Sequence, residues 1–293
     1  MFLEQVKKNV LLFDGALGTL LQAKGLQVGD CPEEWNVTHP EVVKDIYKSY
    51  YNVGSDCVSL NSFGGTKAKL AKFGKGDKVY EFNKRAAELA KEVCPSGKFV
   101  VGSLGSTGEM LEPFGDFPIQ ECYDNYVEQV IALRDGGCDA LCIETMMDLE
   151  EAKIALKAAK EKTTLPVIVS FTFHQTPGGY KTLMGNPIPK IVKELTDGGV
   201  DIIGSNCGNG VENMVEILKE YRTAAPNMLF LIQPNAGLPE IVGDKTVYKE
   251  TPEKMKPKIE MLLDIGLNIL GGCCGTTPDH ISIFRQILNN KYK

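Results

Sequence analysis

Short apolar runs of strand length alternate along this chain with stretches whose apolar residues recur every three or four positions. The runs are Val10–Phe13, Cys57–Leu60, Phe99–Gly102, Ala140–Ile143, Val167–Phe171, Ile202–Ser205, Leu229–Ile232 and Asn268–Leu270. Helical patterns fall between and after them, near 40–53, 79–93, 119–135, 149–161, 187–197, 211–222, 252–265 and 278–289. In the third of these, Ile119, Tyr123, Tyr126, Val130 and Leu133 share one face, which the 3.6-residue period assigns to a core. Strand–helix alternation of this kind is the signature of βα units and a parallel sheet.

The punctuation agrees with the pattern. Gly54-Ser55-Asp56, Gly136-Gly137-Cys138-Asp139, Gly198-Gly199-Val200-Asp201 and Gly266-Leu267-Asn268 each stand between a helix and the next strand. Glycine stops the helix and a short polar residue turns the chain. Thr251-Pro252-Glu253 and Thr277-Pro278-Asp279 place a hydroxyl cap, a proline and an acid at two helix starts. Pro257 is expected to kink or restart the seventh helix. Eight units of similar length, with no linker, predict a single α/β domain over residues 1–293, a closed (β/α)8 TIM barrel. That fold needs roughly 250 residues. An open doubly wound sheet fits less well, because no G-x-G-x-x-G follows the first strand.

Composition is that of an ordinary globular protein: 43% hydrophobic, 24% charged, net charge −6. Mild acidity without basic clusters argues against nucleic acid or an anionic membrane as partner. The first residues do not read as a signal peptide, and no run approaches the ~20 apolar residues of a membrane helix. A cytoplasmic location is expected. There thiols stay reduced, so the nine cysteines are core filler or carriers of metal or redox chemistry.

In such barrels the chemistry sits at the C-terminal ends of the strands. Those positions are Asp14, Asn61, Ser103, Glu144, His174, Cys207, Asn235 and the pair Cys273-Cys274. No lysine occupies a strand end, which counts against a Schiff-base aldolase, and no acidic cluster suggests a magnesium-dependent enolase-type site. Neighbouring cysteines on a regular strand point to opposite faces, so Cys273 and Cys274 can serve one metal only where the backbone turns sharply. Gly271, Gly272 and Gly275 supply that freedom. The pair alone is equally readable as a vicinal disulfide or as two core thiols. Cys207, at the end of the sixth strand, tips the reading to zinc: three thiolates and an open position make a catalytic arrangement. Cys31, Cys94 and Cys122, in loops or helices, are read as filler.

Zinc lowers the pKa of a bound thiol enough to deprotonate it near neutrality. A shell of three thiolates leaves a fourth, brought by a substrate, electron-rich and weakly held. Such a centre suits alkyl transfer to sulfur, whereas water-activating sites favour histidine and carboxylate. Only three histidines are present. His39 and His280 fall at helix starts and read as solvated or structural, and His174 could line the mouth. Glu144 would sit in a region of low dielectric, where an ammonium group would relieve its charge. The plainer alternative is a buried lysine or arginine partner.

With these residues in place, the chain resembles the homocysteine S-methyltransferase family. The resemblance rests on Asp14-Gly15-Ala16-Leu17-Gly18-Thr19, Asn61-Ser62-Phe63-Gly64, Ile143-Glu144-Thr145, Asn206-Cys207-Gly208, Pro234-Asn235-Ala236-Gly237 and Gly271-Gly272-Cys273-Cys274-Gly275-Thr276-Thr277-Pro278, in that order. The last motif is specific; the others are individually weak. Asn61-Ser62-Phe63-Gly64-Gly65-Thr66, then Lys69-Leu70 and Phe73-Gly74, resemble most the homocysteine-binding barrel of cobalamin-dependent methionine synthase. The resemblance implies Cys207, Cys273 and Cys274 as Zn2+ ligands. It places Asp14, Asn61 and Glu144 around homocysteine, with Glu144 on its amino group, and Asn235 near the metal. It also implies methylcobalamin, on a corrinoid protein or a corrinoid domain, as methyl donor. A sulfonium or betaine donor, or a substrate-binding module without activity of its own, are the alternatives.

Overall fold

In the computed structural model, which describes residues 1–242 and 245–292, eight parallel strands form a nearly closed barrel with helices around it. They are β1 (Leu11–Leu12), β2 (Cys57–Ser59), β3 (Phe99–Leu104), β4 (Ala140–Met146), β5 (Val167–Phe171), β6 (Ile202–Asn206), β7 (Leu229–Gln233) and β8 (Ile269–Leu270). Their order is β1-β8-β7-β6-β5-β4-β3-β2. The two end strands, β1 and β2, meet at a seam. There Asp56 N donates to Leu12 O (2.6 Å), Leu12 N to Asp56 Oδ2 (2.9 Å) and Ser59 N to Asp14 Oδ2 (2.7 Å). Asp14 therefore closes the barrel with one carboxylate oxygen.

The fold matches the eight-unit barrel that the apolar pattern predicts, with strand ends moved by a residue or so. The exception is β4, expected to stop at Ile143, which runs on to Met146 through a register shift between Ile143 and Met146. An irregularity of this kind re-aims side chains and is common beside active sites.

Two layers of core hold the barrel. Inside it, side chains such as Phe13, Cys57, Val101, Cys142 and Ile168 pack together. A helix at the N-terminus, Phe2–Lys8, closes the bottom by burying Phe2 and Val6 against them. Outside, the helices bury one face each against the sheet, at about 1.5–3 kcal/mol per large apolar side chain. Four tyrosines in this layer place their hydroxyls on backbone: Tyr50 donates to Ala16 O, Tyr126 to Gly105 O and Tyr221 to Gly204 O, while Tyr47 accepts from Asn61 N. Buried hydroxyls need such partners; those of Tyr47, Tyr50 and Tyr126 fix the starts of mouth loops, and that of Tyr221 holds β6.

The short polar residues before alternate strands share a second task. Asp139 Oδ2 accepts from Val100 N, Asp201 Oδ2 from Val167 N and Asn268 Oδ1 from Phe230 N, all at 2.8–3.0 Å. Asp56 does the same for Leu12. Each also meets a cation from the helix that leads into the braced strand: Lys91, Lys160, Arg222 and, around the seam, Arg285.

One expectation needs correction. The helix Pro252–Ile265 continues through Pro257 without a restart, so the missing N–H removes one bond, to the carbonyl of Glu253, and ends nothing. Of the two readings open for His280, solvated or structural, the structural one holds: the ring is buried, its Nδ1 accepts from Thr277 N (3.2 Å), completing a capping box, and its Nε2 meets Glu250 O at 2.9 Å. Among the described residues no helix is long and apolar enough to cross a membrane.

Candidate functional site

The three cysteines at strand ends converge. Cys207 follows β6 in a left-handed conformation, φ 60°, with its N–H on Gln233 O and its carbonyl accepting from Asn209 N at 2.7 Å. The loop after β8 folds back on itself: Gly272 N donates to Asp14 O, Cys273 N to Pro234 O, and Thr276 N and Oγ1 both to Cys273 O. Gly275, at φ 78°, completes the turn beneath the ring of Tyr248, where a Cβ would lie 2.2 Å from Tyr248 Cγ. Adjacent cysteines can thus share one face. The Sγ atoms of Cys207, Cys273 and Cys274 lie within 4.8 Å of one another, with Cys207 and Cys274 3.8 Å apart.

The chemistry of the trio differs from that of the remaining thiols. Cys207 and Cys273 stabilise charge on Cys274 by hydrogen bonding, which pushes its pKa down, while Cys273 is pushed up. The three titrate as a unit. Burial pushes Cys57, Cys138 and Cys142 up within the barrel wall, Cys31 to about 11 and Cys122 to about 12. Such thiols are inert. Cys94 takes a hydrogen bond from Tyr51.

Beside the sulfurs lie two carboxyls, those of Asp14 and Glu144. Asp14 is 1% exposed, and its Oδ1 has no partner. Burial, opposed by the bond from Ser59 and helped by the charge of Glu144, lifts its pKa to about 8. Glu144 sits in the irregular part of β4, half-buried, with Ser103 Oγ donating to Oε1 and Asn206 Nδ2 3.5 Å from Oε2. Desolvation raises it to about 7. Both carboxyls are thus pushed up towards neutrality by poor solvation, and among the described residues neither pairs with a lysine or arginine.

The other strand-end residues separate into kinds. Asn235 is 2% exposed and its Oδ1 is unpartnered, between Pro234, which accepts from Cys273 N, and Ala236, whose N donates to Cys274 O. Asn61 spends both amide hydrogens on Pro32 O and Asn36 Oδ1, so it orders the first loop and has only Oδ1 left to offer. Ser103 serves Glu144. His174 is exposed, in a hairpin that follows β5, His174–Thr176 with Gly179–Lys181. Sequence reasoning did not assign Asn206, fully buried among Glu144, Thr145 and Cys273, or Tyr248, brought to Cys274 by a strand after β7. The only signal for Asn206 was its place before a strand-end cysteine.

A protein-family model described as Homocysteine S-methyltransferase matches residues 11–288. The chain belongs to the homocysteine S-methyltransferase family. Two curated relatives, both named methionine synthase, are similar over 95% of the chain: one from Mycobacterium leprae (strain TN) at 33% identity, one from Mycobacterium tuberculosis (strain ATCC 25618 / H37Rv) at 31%. The family member described here spans 24% of the length of either. Among solved structures, the metallated form of the homocysteine methyltransferase MmuM from Escherichia coli superposes with a TM-score of 0.80. Its identity is 23%, with 96% of each chain covered. A methyltransferase from Methanosarcina mazei follows the same fold at TM-score 0.62 and 11% identity, covering 100% of this chain and 98% of that one. At these identities the likeness concerns the barrel.

Proposed function

We propose that residues 1–293 form one homocysteine-binding barrel, a zinc-dependent S-methyltransferase that converts homocysteine to methionine in the cytoplasm. The donor in this reading is methylcobalamin carried on a separate corrinoid domain or protein. The observation that carries the reading is the convergence of the Cys207, Cys273 and Cys274 sulfurs beside the carboxyls of Asp14 and Glu144, neither of which pairs with a lysine or arginine among the described residues. The donor set fits zinc: three soft thiolates, and a nearby buried amide oxygen, Asn235 Oδ1, with no donor of its own. Cys207, Cys273 and Cys274 would hold the ion. Bound there, zinc would supply the Lewis acidity that keeps a substrate thiol ionised at neutral pH.

The chain's own residues do the rest. Glu144 and Asp14 take the ammonium end, exchanging their protons for its charge. Ser103 and the turn around Thr145 hold Glu144 in the mouth. Fixing the amino end aims the sulfur outward, in line with an incoming methyl group. In the net reaction a sulfur–carbon bond forms and the donor–carbon bond breaks, its electron pair staying with the donor. The homology to one quarter of proteins named methionine synthase supports a donor held on another module.

The test is metal content and turnover together. The purified chain should hold about one zinc. Single serine replacements of Cys207, Cys273 or Cys274 should weaken binding by more than about 100-fold, beyond a second-sphere effect. Serine at Cys31, Cys94 or Cys122 should leave it intact. Full retention in all three mouth variants overturns the metal assignment. Methylation of homocysteine by free methylcobalamin, and not by sulfonium or betaine donors, supports the donor; the reverse replaces it.

A further inference from the structure

We propose that Asn206 is the positioning residue of this site, tying Cys273 to Glu144 so that sulfur and ammonium are received at one fixed spacing. The inference rests on the proposed function for what the two ends receive. Its own footing is the side-chain amide. Asn206 is fully buried at the end of β6, and its whole hydrogen-bonding capacity points at the site. Oδ1 accepts from Thr145 N (2.9 Å) and Ser170 Oγ (2.7 Å). Nδ2 donates to Thr145 Oγ1 (2.7 Å) and lies 3.5 Å from Glu144 Oε2 and 3.9 Å from Cys273 Sγ. One hydrogen thus goes to Thr145 and the other is shared between carboxylate and sulfur.

The backbone explains why an amide stands there. Thr145 is β-branched yet sits at φ 58°, and Cys207, next to Asn206, at φ 60°. A left-handed β-branched residue is strained and persists only where its surroundings hold it. Asn206 grips Thr145 from both its N–H and its hydroxyl. That grip maintains the irregularity that turns Glu144 into the mouth. Holding Thr145 while donating to two acceptors requires acceptor and donor on one short side chain, which among buried candidates means asparagine. Donation to Cys273 also withdraws charge from a sulfur of the proposed metal shell.

Cobalt(II) in place of zinc gives the readout, because its sulfur-to-metal charge-transfer band reports on the thiolates directly. Homocysteine and 4-mercaptobutanoate, which lacks the amino group, are titrated against the cobalt-loaded chain. In the wild type the band should respond to both, with a clear preference for homocysteine. In Asn206→Ser the metal-only band should shift, and the preference should fall roughly tenfold or more. Adding Thr145→Gly, which takes φ 58° without strain, should restore much of the preference but leave the band shifted. A wild-type band and a wild-type preference in Asn206→Ser overturn the inference. Should that variant not fold, Asn206→Asp keeps the acceptor for Thr145 and Ser170 and removes the donor. Unchanged preference in it overturns the inference equally. A wild type whose band ignores both thiols instead defeats the functional reading, so the two failures are distinguishable.

Discussion

Asp14, at the end of β1, and Glu144, at the end of β4, are electrostatically coupled: the charge on Glu144 raises the proton affinity of Asp14. Burial does most of the work, and both carboxyls are lifted towards neutrality, Asp14 to about 8 and Glu144 to about 7. Near neutral pH the two carboxyls therefore hold protons that an incoming cation would displace.

The first expectation is a proton count. At pH 6.5, homocysteine should release the thiol proton and, as its ammonium enters, about one more from the Asp14–Glu144 pair. 4-Mercaptobutanoate should release only the first. Calorimetry in buffers of different ionisation enthalpy measures both numbers. Equal release by the two thiols would mean that the ammonium does not meet the pair.

A second concerns stability. The folded-state pKa of Asp14 lies above its unfolded value. Below about pH 4 both states are protonated and the group contributes nothing. As pH rises towards 8 the unfolded chain ionises first, so stability falls across that window and levels off above it. Asp14→Asn should remove that slope in the metal-free chain, gaining on the order of 4 kcal/mol over wild type at pH 8 relative to pH 4.5. At about 2 °C per kcal/mol for a chain of this size, melting curves resolve it. Parallel wild-type and variant profiles would contradict the raised pKa.

How much of this was legible in the sequence follows from which interactions are local. Apolar runs set the eight strands, because a buried strand must be apolar whatever its neighbours. The convergence of Cys207, Cys273 and Cys274 was legible because strand ends meet in any barrel. The prolongation of β4 past Ile143 was not legible, since the contact that maintains it comes from Asn206, 61 residues from Thr145. Pro257 was misjudged for a related reason: a helix packed against the barrel tolerates a residue that an isolated helix would not. The aspartates before alternate strands were visible as turn residues, but their bonds to the preceding strand belong to tertiary structure.

Those braces make a third expectation. Asp201 accepts from Val167 N and pairs with Lys160 at the bottom of the barrel, away from the thiols. Asp201→Ala leaves an N–H of β5 without its partner, worth about 1–3 kcal/mol. The variant should melt several degrees lower while binding zinc as the wild type does. Loss of metal with unchanged melting would reverse the division of labour between the two ends of the barrel.

The last expectation returns to Glu144. Its partners are Ser103 Oγ and the amide of Asn206, and among the described residues no lysine or arginine pairs with it. The plainer possibility left open by the sequence, a buried ion pair closing the mouth, therefore does not apply. A carboxylate so placed gains most from an ammonium ligand, because hydrogen bonds to charged groups in such surroundings are worth roughly 1.5–3 kcal/mol. That range corresponds to about 10- to 150-fold in affinity. Glu144→Gln keeps the size of the side chain and the bond from Ser103 but removes the charge. The wild type should prefer homocysteine over 4-mercaptobutanoate by a factor in that range. The variant should lose most of the preference, retain its zinc and bind the amine-free thiol about as before. Equal discrimination by both proteins would exclude Glu144 as the ammonium partner. The role would then pass to Asp14, whose unpartnered Oδ1 is the other buried acceptor of the pair.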